Sequence, residues 1–498
     1  MQISYSSLFT KFAGTIVPIF IAFIAHFPQS TPAKIDSKTT TKINDYLDGV
    51  AKAGFTGTVV VERDGKILIS RAFGIRNQER KLINDQNSVM DIGSLTKQFT
   101  AAAILKLEMQ GKLSTEDKIG KFFDNVPADK STITLHDLLR HSSGMVGDIG
   151  GDYEKIAREE FLAKLMATPL ESKVGEKFAY SNIGYSLLAM IVEKASGQRF
   201  EDFLYDNLFR PAGMNSTGYS RPKFDADVIA VGYRWDGMLW GKPTDKAWDG
   251  DAPFWHLRGN GGILSTAVDL AKWSVALRGD RILSRSAKQK LHHPRLRPDE
   301  HDNPYYGYGW DIFTTRRNTL LATHNGTNNI FYAEVHRFLD EKLTIIHLTN
   351  RGIPSFAEIN KQISRIIFES EYVPTIPAAE NEANQRYTEE IIALALEKGL
   401  QAAIQANASR NPGADLIERF INRKGYQLIR DKKLAQAIEV FKLNTVAFPR
   451  SSNVYDSLGE AYVEAGETKL AIDSFHKSLD VDPENENASQ MIKKLQNK

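Results

Sequence analysis

The residue pair with the clearest chemical potential is Ser94 and Lys97, arranged as Ser-x-x-Lys. From Ser94 to Gln110 apolar side chains recur at helical spacing, and Gly111 predicts the end of that helix. One helical turn would place the hydroxyl and the amine on the same face. A neighbouring amine can take the proton of a serine hydroxyl, and N–H groups at a helix N-terminus favour developing negative charge. Taken alone, the pair is more typical of a capping serine beside a solvated lysine.

A second motif, Tyr180 and Asn182, lies between a polar loop and a helix predicted from about Ile183. A phenol and an amide two residues apart on a loop can point into one cleft. The alternative is a buried tyrosine followed by Asn182 as a helix cap, which is the commoner use of these residues.

A third motif, His324-x-Gly326, ends a predicted strand. Gly326 would let a substrate backbone lie against the strand edge, and the next N–H, that of Thr327, could contribute to an oxyanion hole. The alternative is a turn at the end of the strand that carries an ordinary surface histidine.

The elements that must position these motifs indicate an α+β domain. Residues 58–61 and 67–69 flank Asp64-Gly65, which predicts a β-hairpin early in the chain. Helical patterns follow, and strand patterns return late, so the sheet is expected to combine distant parts of the chain. The predicted helices are 134–140, 159–166, 183–195 and 359–367, and the predicted late strands are 320–324, 330–338 and 343–349.

A boundary is predicted near Pro374, and beyond it the chain repeats with a period of about 34 residues, the period of tetratricopeptide repeats. The matched pairs are Gly425 and Gly459, Ala437 and Ala471, Phe441 and Phe475, and Pro449 and Pro483. We therefore expect a domain over 45–372, a linker over 373–384 and a helical repeat region over 385–498. The best repeats are 418–451 and 452–485, and 388–405 is expected to complete the stack.

The N-terminus and the composition restrict location and partners. Residues 1–33 contain a short apolar stretch typical of a signal peptide or an N-terminal anchor, followed by a polar lead-in over 34–44. The expected location is therefore periplasmic or extracellular, with membrane contact only if the leader is retained. The 498 residues carry a formal net charge of +2, which gives no electrostatic basis for a nucleic-acid partner. The chain has no cysteine, which excludes thiolate catalysis and disulfides.

The order of the three motifs resembles the serine β-lactamase and penicillin-binding-protein family, in the branch of class C β-lactamases, D,D-peptidases and esterases. The resemblance covers about residues 45–370, and the segments 134–144, 261–270 and 306–310 are also similar to that branch. It implies a β-lactamase/transpeptidase-like fold, in which an antiparallel sheet is flanked by helices and joined by a helical subdomain. In this chain the all-α tetratricopeptide-repeat domain would follow.

The resemblance also implies an acyl-enzyme mechanism with Ser94 as the nucleophile. Lys97 and Tyr180 would share the proton transfers, and the sequence leaves open which of them is the base. No metal or organic cofactor is implied. The residues implied in substrate binding or in the oxyanion hole are Asn182, His324, Gly326 and the backbone N–H groups of Ser94 and Thr327.

His324 stands where the family usually has lysine, a permanent cation for a substrate carboxylate, whereas histidine is mostly neutral at pH 7. We therefore expect weak or absent β-lactamase activity and action on an ester, a peptide or a peptidoglycan-derived substrate. The alternative is an inactive protein that binds wall fragments or acts as a scaffold, with a protein partner on its repeats.

Overall fold

The computed structural model describes residues 35–234, 237–250, 252–292, 305–352, 356–376, 382–409, 415–482 and 485–496. The predicted leader at 1–33 and Pro483 lie outside these residues. The strands are β1 Gly57–Arg63, β2 Lys66–Phe73, β3 Ile75–Asn77, β4 Leu82–Ile83, β5 Met90–Asp91, β6 Gly232–Tyr233, β7 Leu239–Gly241, β8 Trp248–Asp249, β9 Ala252–Pro253, β10 Leu264–Ser265, β11 Tyr305–Tyr306, β12 Asp311–Thr314, β13 Leu320–Thr327, β14 Tyr332–Phe338 and β15 Leu343–Thr349.

One α-helix precedes the first strand, and the others occupy the middle and the C-terminal part of the chain. They are α1 Ser37–Lys52, α2 Thr96–Met109, α3 Leu135–Leu139, α4 Arg158–Ala167, α5 Asn182–Ser196, α6 Phe200–Leu204, α7 Arg210–Ala212, α8 Ala267–Ala276, α9 Arg285–His292, α10 Ile359–Phe368, α11 Glu382–Lys398, α12 Leu400–Ala408, α13 Glu418–Arg430, α14 Leu434–Ala447, α15 Ser452–Glu464, α16 Thr468–Val481 and α17 Glu486–Gln496.

A seven-stranded antiparallel sheet joins the two ends of the first domain, in the order β11-β12-β13-β14-β15-β1-β2. The predicted hairpin is confirmed as β1 and β2, and Asp64 and Gly65 take the positive φ values of a two-residue turn, 49° and 86°. Because β1 pairs with the late strand β15, the expectation that distant segments share one sheet is also confirmed.

Helices cover both faces of this sheet. Val59 and Val61 of β1 face α1 and α10, whereas Val60 faces the core built around α2, α5 and α8. Side chains alternate across a strand, so a sheet covered on both faces requires apolar residues at consecutive positions, as found in β1. The buried α2 and α5 pack on each other and carry the Ser94 and Tyr180 motifs into the same interior region.

The polar lead-in expected over 34–44 is wrong from residue 37 onward, where α1 begins. The Asp36 side chain caps this helix by accepting a hydrogen bond from the Thr39 N–H at 2.9 Å. Ile43 and Leu47, four residues apart, form a buried stripe that packs with α10. The Thr- and Lys-rich composition of this stretch belongs to the outer face of an amphipathic helix.

The C-terminal region is an all-α stack of helices with its own hydrophobic core. In α13 an added Cβ at Gly425 would lie 2.4 Å from the Phe441 ring, and in α15 one at Gly459 would lie 2.7 Å from the Phe475 ring. These two contacts are related by the 34-residue offset read from the sequence. The segment 388–405 falls in α11 and α12, which pack on α14, so its predicted place in the stack is confirmed. Because α11 begins at Glu382, the linker expected over 373–384 overlaps the first helix of the stack.

Among the described residues, no helix is both long enough and apolar enough to cross a membrane.

Candidate active site

Ser94 lies in a 3-10 turn, Gly93–Leu95, that leads directly into α2. Gly93 has a φ of +49°, and a Cβ added there would lie 2.5 Å from the Thr327 nitrogen. On the other side of the contact, a Cβ at Gly326 would lie 2.6 Å from the Ser94 nitrogen. Glycine on both sides therefore lets the turn and β13 touch through their backbones. The backbone nitrogens of Ser94 and Thr327 lie at this contact.

The Lys97 side chain is fully buried beneath Ser94 and donates three hydrogen bonds. Its Nζ lies 2.9 Å from Ser94 Oγ, 2.7 Å from Asn182 Oδ1 and 3.0 Å from the carbonyl oxygen of Asn260. An ammonium has three donors, so these acceptors satisfy the charged form completely. When Nζ loses a proton, its free lone pair is already within hydrogen-bonding distance of the Ser94 hydroxyl.

Burial lowers the pKa of Lys97 from 10.5 to about 7, because a low-dielectric surrounding disfavours the ammonium. The negative charges of Asp148 and Asp152 oppose this shift. Asp148 does not contact the amine directly, and the Asn182 side chain lies between them. Asn182 Nδ2 donates to the two Asp148 carboxylate oxygens at 3.0 and 3.2 Å. The neighbouring charges are thus strong enough to moderate the shift and too weak to abolish it.

The carbonyl that completes the lysine site comes from a glycine-rich loop. Thr100 donates to the Gly259 carbonyl at 2.6 Å, and the Gly259 N–H donates to the Tyr219 hydroxyl at 2.9 Å. The side-chain amide of Asn260 donates to Ser186 Oγ and to a backbone carbonyl oxygen. These bonds hold the residue so that its backbone carbonyl faces Lys97. These contacts give a structural role to the loop that precedes Gly261, where the sequence resembled the family.

Tyr180 lies over the lysine, with the centre of its ring 4.7 Å from Lys97 Nζ. Its side chain hydrogen-bonds with Ser94, and although the residue as a whole is partly exposed, desolvation of the phenol raises its pKa despite that bond. The ring of His141 lies 4.2 Å from the Tyr180 ring, and His141 Nδ1 accepts the Ser181 N–H at 3.0 Å. His141 therefore fixes both the ring and the backbone of the Tyr180 motif.

Both ring nitrogens of His324 have hydrogen-bond partners within the protein. The side chain is buried, Nδ1 lies 2.5 Å from the Asn325 carbonyl oxygen, and Nε2 lies 3.1 Å from the Tyr306 hydroxyl. Burial and the positive charge of Lys97 lower the pKa of His324 to about 4, so the imidazole is neutral at pH 7. Nδ1–H then donates to the carbonyl and Nε2 accepts from the phenol. This geometry differs from the expected substrate contact because both nitrogens are already used.

The structure brings together Ser94, Lys97, Tyr180, Asn182 and the Gly326–Thr327 backbone, as the motifs predicted. Sequence reasoning missed Asp148, His141 and the Asn260 carbonyl. The signal for His141 was its position inside the family-like segment 134–144, and Asp148 follows that segment in a run rich in Gly and Asp. In the described ranges, no group of three or more His, Cys, Asp and Glu side chains is arranged to hold a metal ion.

Comparison with known proteins agrees with this arrangement. The Beta-lactamase family model matches residues 43–366, and the chain therefore belongs to this family. It is 31% identical to penicillin-binding protein 4* of Bacillus subtilis (strain 168), over 66% of this chain and 76% of that protein.

Two solved structures share the fold with at least a quarter of residues identical. The octameric penicillin-binding protein homologue from Pyrococcus abyssi has a TM-score of 0.56 and 27% identity, over 71% of this chain and 81% of that one. The penicillin-binding protein from Bacillus halodurans has a TM-score of 0.54 and 25% identity, over 66% of this chain and 99% of that one.

Proposed function

We propose that this chain is a serine hydrolase that forms an acyl-enzyme at Ser94 and cleaves ester or amide bonds. The observation that carries the proposal is a buried Lys97 amine 2.9 Å from Ser94 Oγ, with a pKa lowered to about 7. A general base works best when its pKa lies near the operating pH. Membership of the Beta-lactamase family supports the same reaction class.

Lys97 is the better candidate for the base, and Tyr180 for the proton donor. Burial lowers the pKa of the amine and raises that of the phenol, so near pH 7 the amine is partly neutral while the phenol stays protonated. Lys97 would take the Ser94 proton as Oγ attacks the carbonyl carbon. Tyr180 would return a proton to the leaving oxygen or nitrogen, and the amine would restore the phenol proton. Water would then release the acyl group by the same steps in reverse.

The oxyanion of the tetrahedral intermediate would be held by the backbone N–H groups of Ser94 and Thr327. The close approach of Gly93 and Gly326 supports this pairing, because it brings the two nitrogens to one contact. Removal of one such donor typically costs about two to three orders of magnitude in turnover.

The charges around the cleft favour substrates without a carboxylate near the scissile bond. His324 is neutral and both of its nitrogens are occupied, so it supplies no cation. Asp148 and Asp152 add negative charge beside Lys97. The name of the Bacillus subtilis relative supports acylation by penicillins, whereas these charges support slow reaction with them and preference for neutral esters and amides.

The remaining proposals concern the ends of the chain. We propose that the C-terminal helices form tetratricopeptide repeats that bind a protein partner, supported by the Gly–Phe contacts at a 34-residue offset. An exported, periplasmic or extracellular location is proposed from residues 1–33 alone.

Intact-protein mass after exposure to a fluorophosphonate tests the proposed chemistry. We expect one adduct on the wild type and none on Ser94→Ala. Matched esters that differ only in a carboxylate near the scissile bond then test the preference, and we expect a higher kcat/KM for the neutral ester. A wild type that is folded and unlabelled would contradict the hydrolase proposal, and a preference for the carboxylate would contradict the charge argument.

A further inference from the structure

A buried carboxylate outside the predicted site joins the two backbone segments that carry the proposed oxyanion donors. Asp91 is the last residue of β5, three positions before Ser94, and only 2% of its surface is exposed. Its Oδ1 accepts the Gly93 N–H at 2.7 Å, and its Oδ2 accepts Nδ2 of Asn328 at 3.0 Å. Gly93 precedes Ser94, and Asn328 follows Thr327.

This carboxylate is held by amides and not by a cation. Among the described residues, no Lys, Arg or His contributes to the pKa of Asp91, and the neighbouring charge that acts on it is another carboxylate, that of Asp152. A buried anion without a counter-ion is costly, and its pKa is raised to about 6. An uncharged side chain could fill this space without the free-energy cost of a buried charge. The carboxylate therefore indicates that the position needs one acceptor toward Gly93 and a second toward Asn328.

The hydrogen bonds of Asn328 explain why an acceptor is needed. Its Oδ1 already accepts the N–H groups of Ile330 at 3.1 Å and Phe331 at 2.8 Å, so its NH2 group must face Asp91. A carboxylate accepts on both oxygens, whereas an asparagine at position 91 would turn a donor toward another donor. Its shape would be retained and the bridge to β13 would be lost.

We propose that Asp91 is a positioning residue that holds the Ser94 and Thr327 N–H groups in one geometry for the oxyanion. The inference rests on the proposed acyl-transfer function. The bridge acts through Gly93 and Asn328, one residue away from each donor, and Asp91 itself touches no reacting atom. Its loss would let the turn and the end of β13 shift relative to each other.

A swap of the two side chains tests the bridge. Asp91→Asn and Asn328→Asp each place like groups face to face, whereas the double variant restores one donor and one acceptor with their direction reversed. We expect each single variant to lose about 10- to 100-fold in kcat on a neutral ester with KM changed less than about threefold. The double variant should recover kcat to within about threefold of the wild type. Asp64 is an exposed residue of the β1–β2 hairpin. Asp64→Asn therefore controls for loss of one carboxylate and should behave as the wild type.

Thermal unfolding of the wild type, the two single variants and the double variant separates the possible failures. We expect the double variant to melt closer to the wild type than either single variant, whether or not the protein turns over esters. Single variants that keep full kcat would overturn the positioning role, and a double variant as slow as the singles would overturn the bridge. If the wild type itself forms no acyl-enzyme, the proposed function fails. The bridge is tested separately, because a double variant that melts no closer to the wild type than the single variants would overturn it.

Discussion

The cleft and the C-terminal stack use the same residue types against different neighbours. In the cleft, Gly326 faces the backbone of the Ser94 turn, which cannot move without displacing a proposed oxyanion donor. In the stack, Gly459 faces the Phe475 ring, a side chain that can rotate or shift. Close packing at glycine therefore positions a proposed oxyanion donor in the cleft, whereas in the C-terminal stack it stabilises the helices.

Lysines show the same contrast. Lys97 is fully buried, contacts no carboxylate within the described part of the chain, and has a lowered pKa. Lys442 in α14 lies partly exposed, 3.0 Å from Glu439, and the hydrogen bond to that carboxylate raises its pKa. A buried amine without a direct counter-ion can supply a neutral base near pH 7, whereas a surface ion pair keeps its proton and contributes about 0–1 kcal/mol to stability.

The largest difference in kcat is expected between variants of the two lysines. Lys97→Met should lower kcat on a neutral ester by about 10²- to 10⁴-fold, because the base that accepts the Ser94 proton is removed. Lys442→Met should leave kcat unchanged. Steady-state kinetics measure kcat, with circular dichroism as a folding control. Equal losses of kcat in both variants would contradict the assignment of the chemistry to the cleft and not to the helical stack.

The two glycines give the next largest difference. Gly326→Ala should lower kcat by about 10²- to 10³-fold, because the added Cβ would lie 2.6 Å from the Ser94 nitrogen. Gly459→Ala should destabilise the helical stack by about 1–3 kcal/mol through overpacking and leave ester turnover intact. Turnover and thermal unfolding are measured on both proteins. A loss of kcat in Gly459→Ala would show that the packing of the helical stack affects turnover in the cleft, and it would contradict the separate roles of the two glycines.

The smallest effect concerns pH. With its pKa lowered to about 7, Lys97 is mostly protonated at pH 6 and mostly neutral at pH 8, so kcat/KM should rise through an apparent pKa near 7. Removal of one charge from the cleft by Asp148→Asn should move that midpoint to lower pH, because the Asp148 carboxylate raises the pKa of the lysine. A pH profile of each protein measures the midpoint, and a shift in the opposite direction would contradict the electrostatic account.

The sequence predicted those parts of the molecule that local pattern determines. Hairpin β1–β2 follows from Asp64-Gly65. The strand at 343–349 and the 34-residue offset between the Gly425 and Gly459 contacts follow from sequence patterns. The contacts that define the site depend on residues far apart in the chain: Asn260 lies 163 positions from Lys97, and Asn328 lies 237 positions from Asp91. No local pattern encodes such pairs.

The contacts of His324 depend on a distant residue in the same way. Its spacing placed it correctly on β13, near Gly326, but Nε2 contacts the Tyr306 hydroxyl and Nδ1 contacts the Asn325 carbonyl oxygen. The polar residues at 34–44 predict a lead-in, whereas Ile43 and, just beyond that segment, Leu47 form a buried stripe. Their partner helix α10 comes more than 300 residues later.

The most direct test of the central claim is rapid acid quench during turnover of a neutral ester, followed by intact-protein mass and peptide mapping. We expect an increase equal to one acyl group, located on the peptide that contains Ser94 and absent from Ser94→Ala. Ester turnover without any covalent acyl group, or with the group on another residue, would contradict an acyl-enzyme at Ser94.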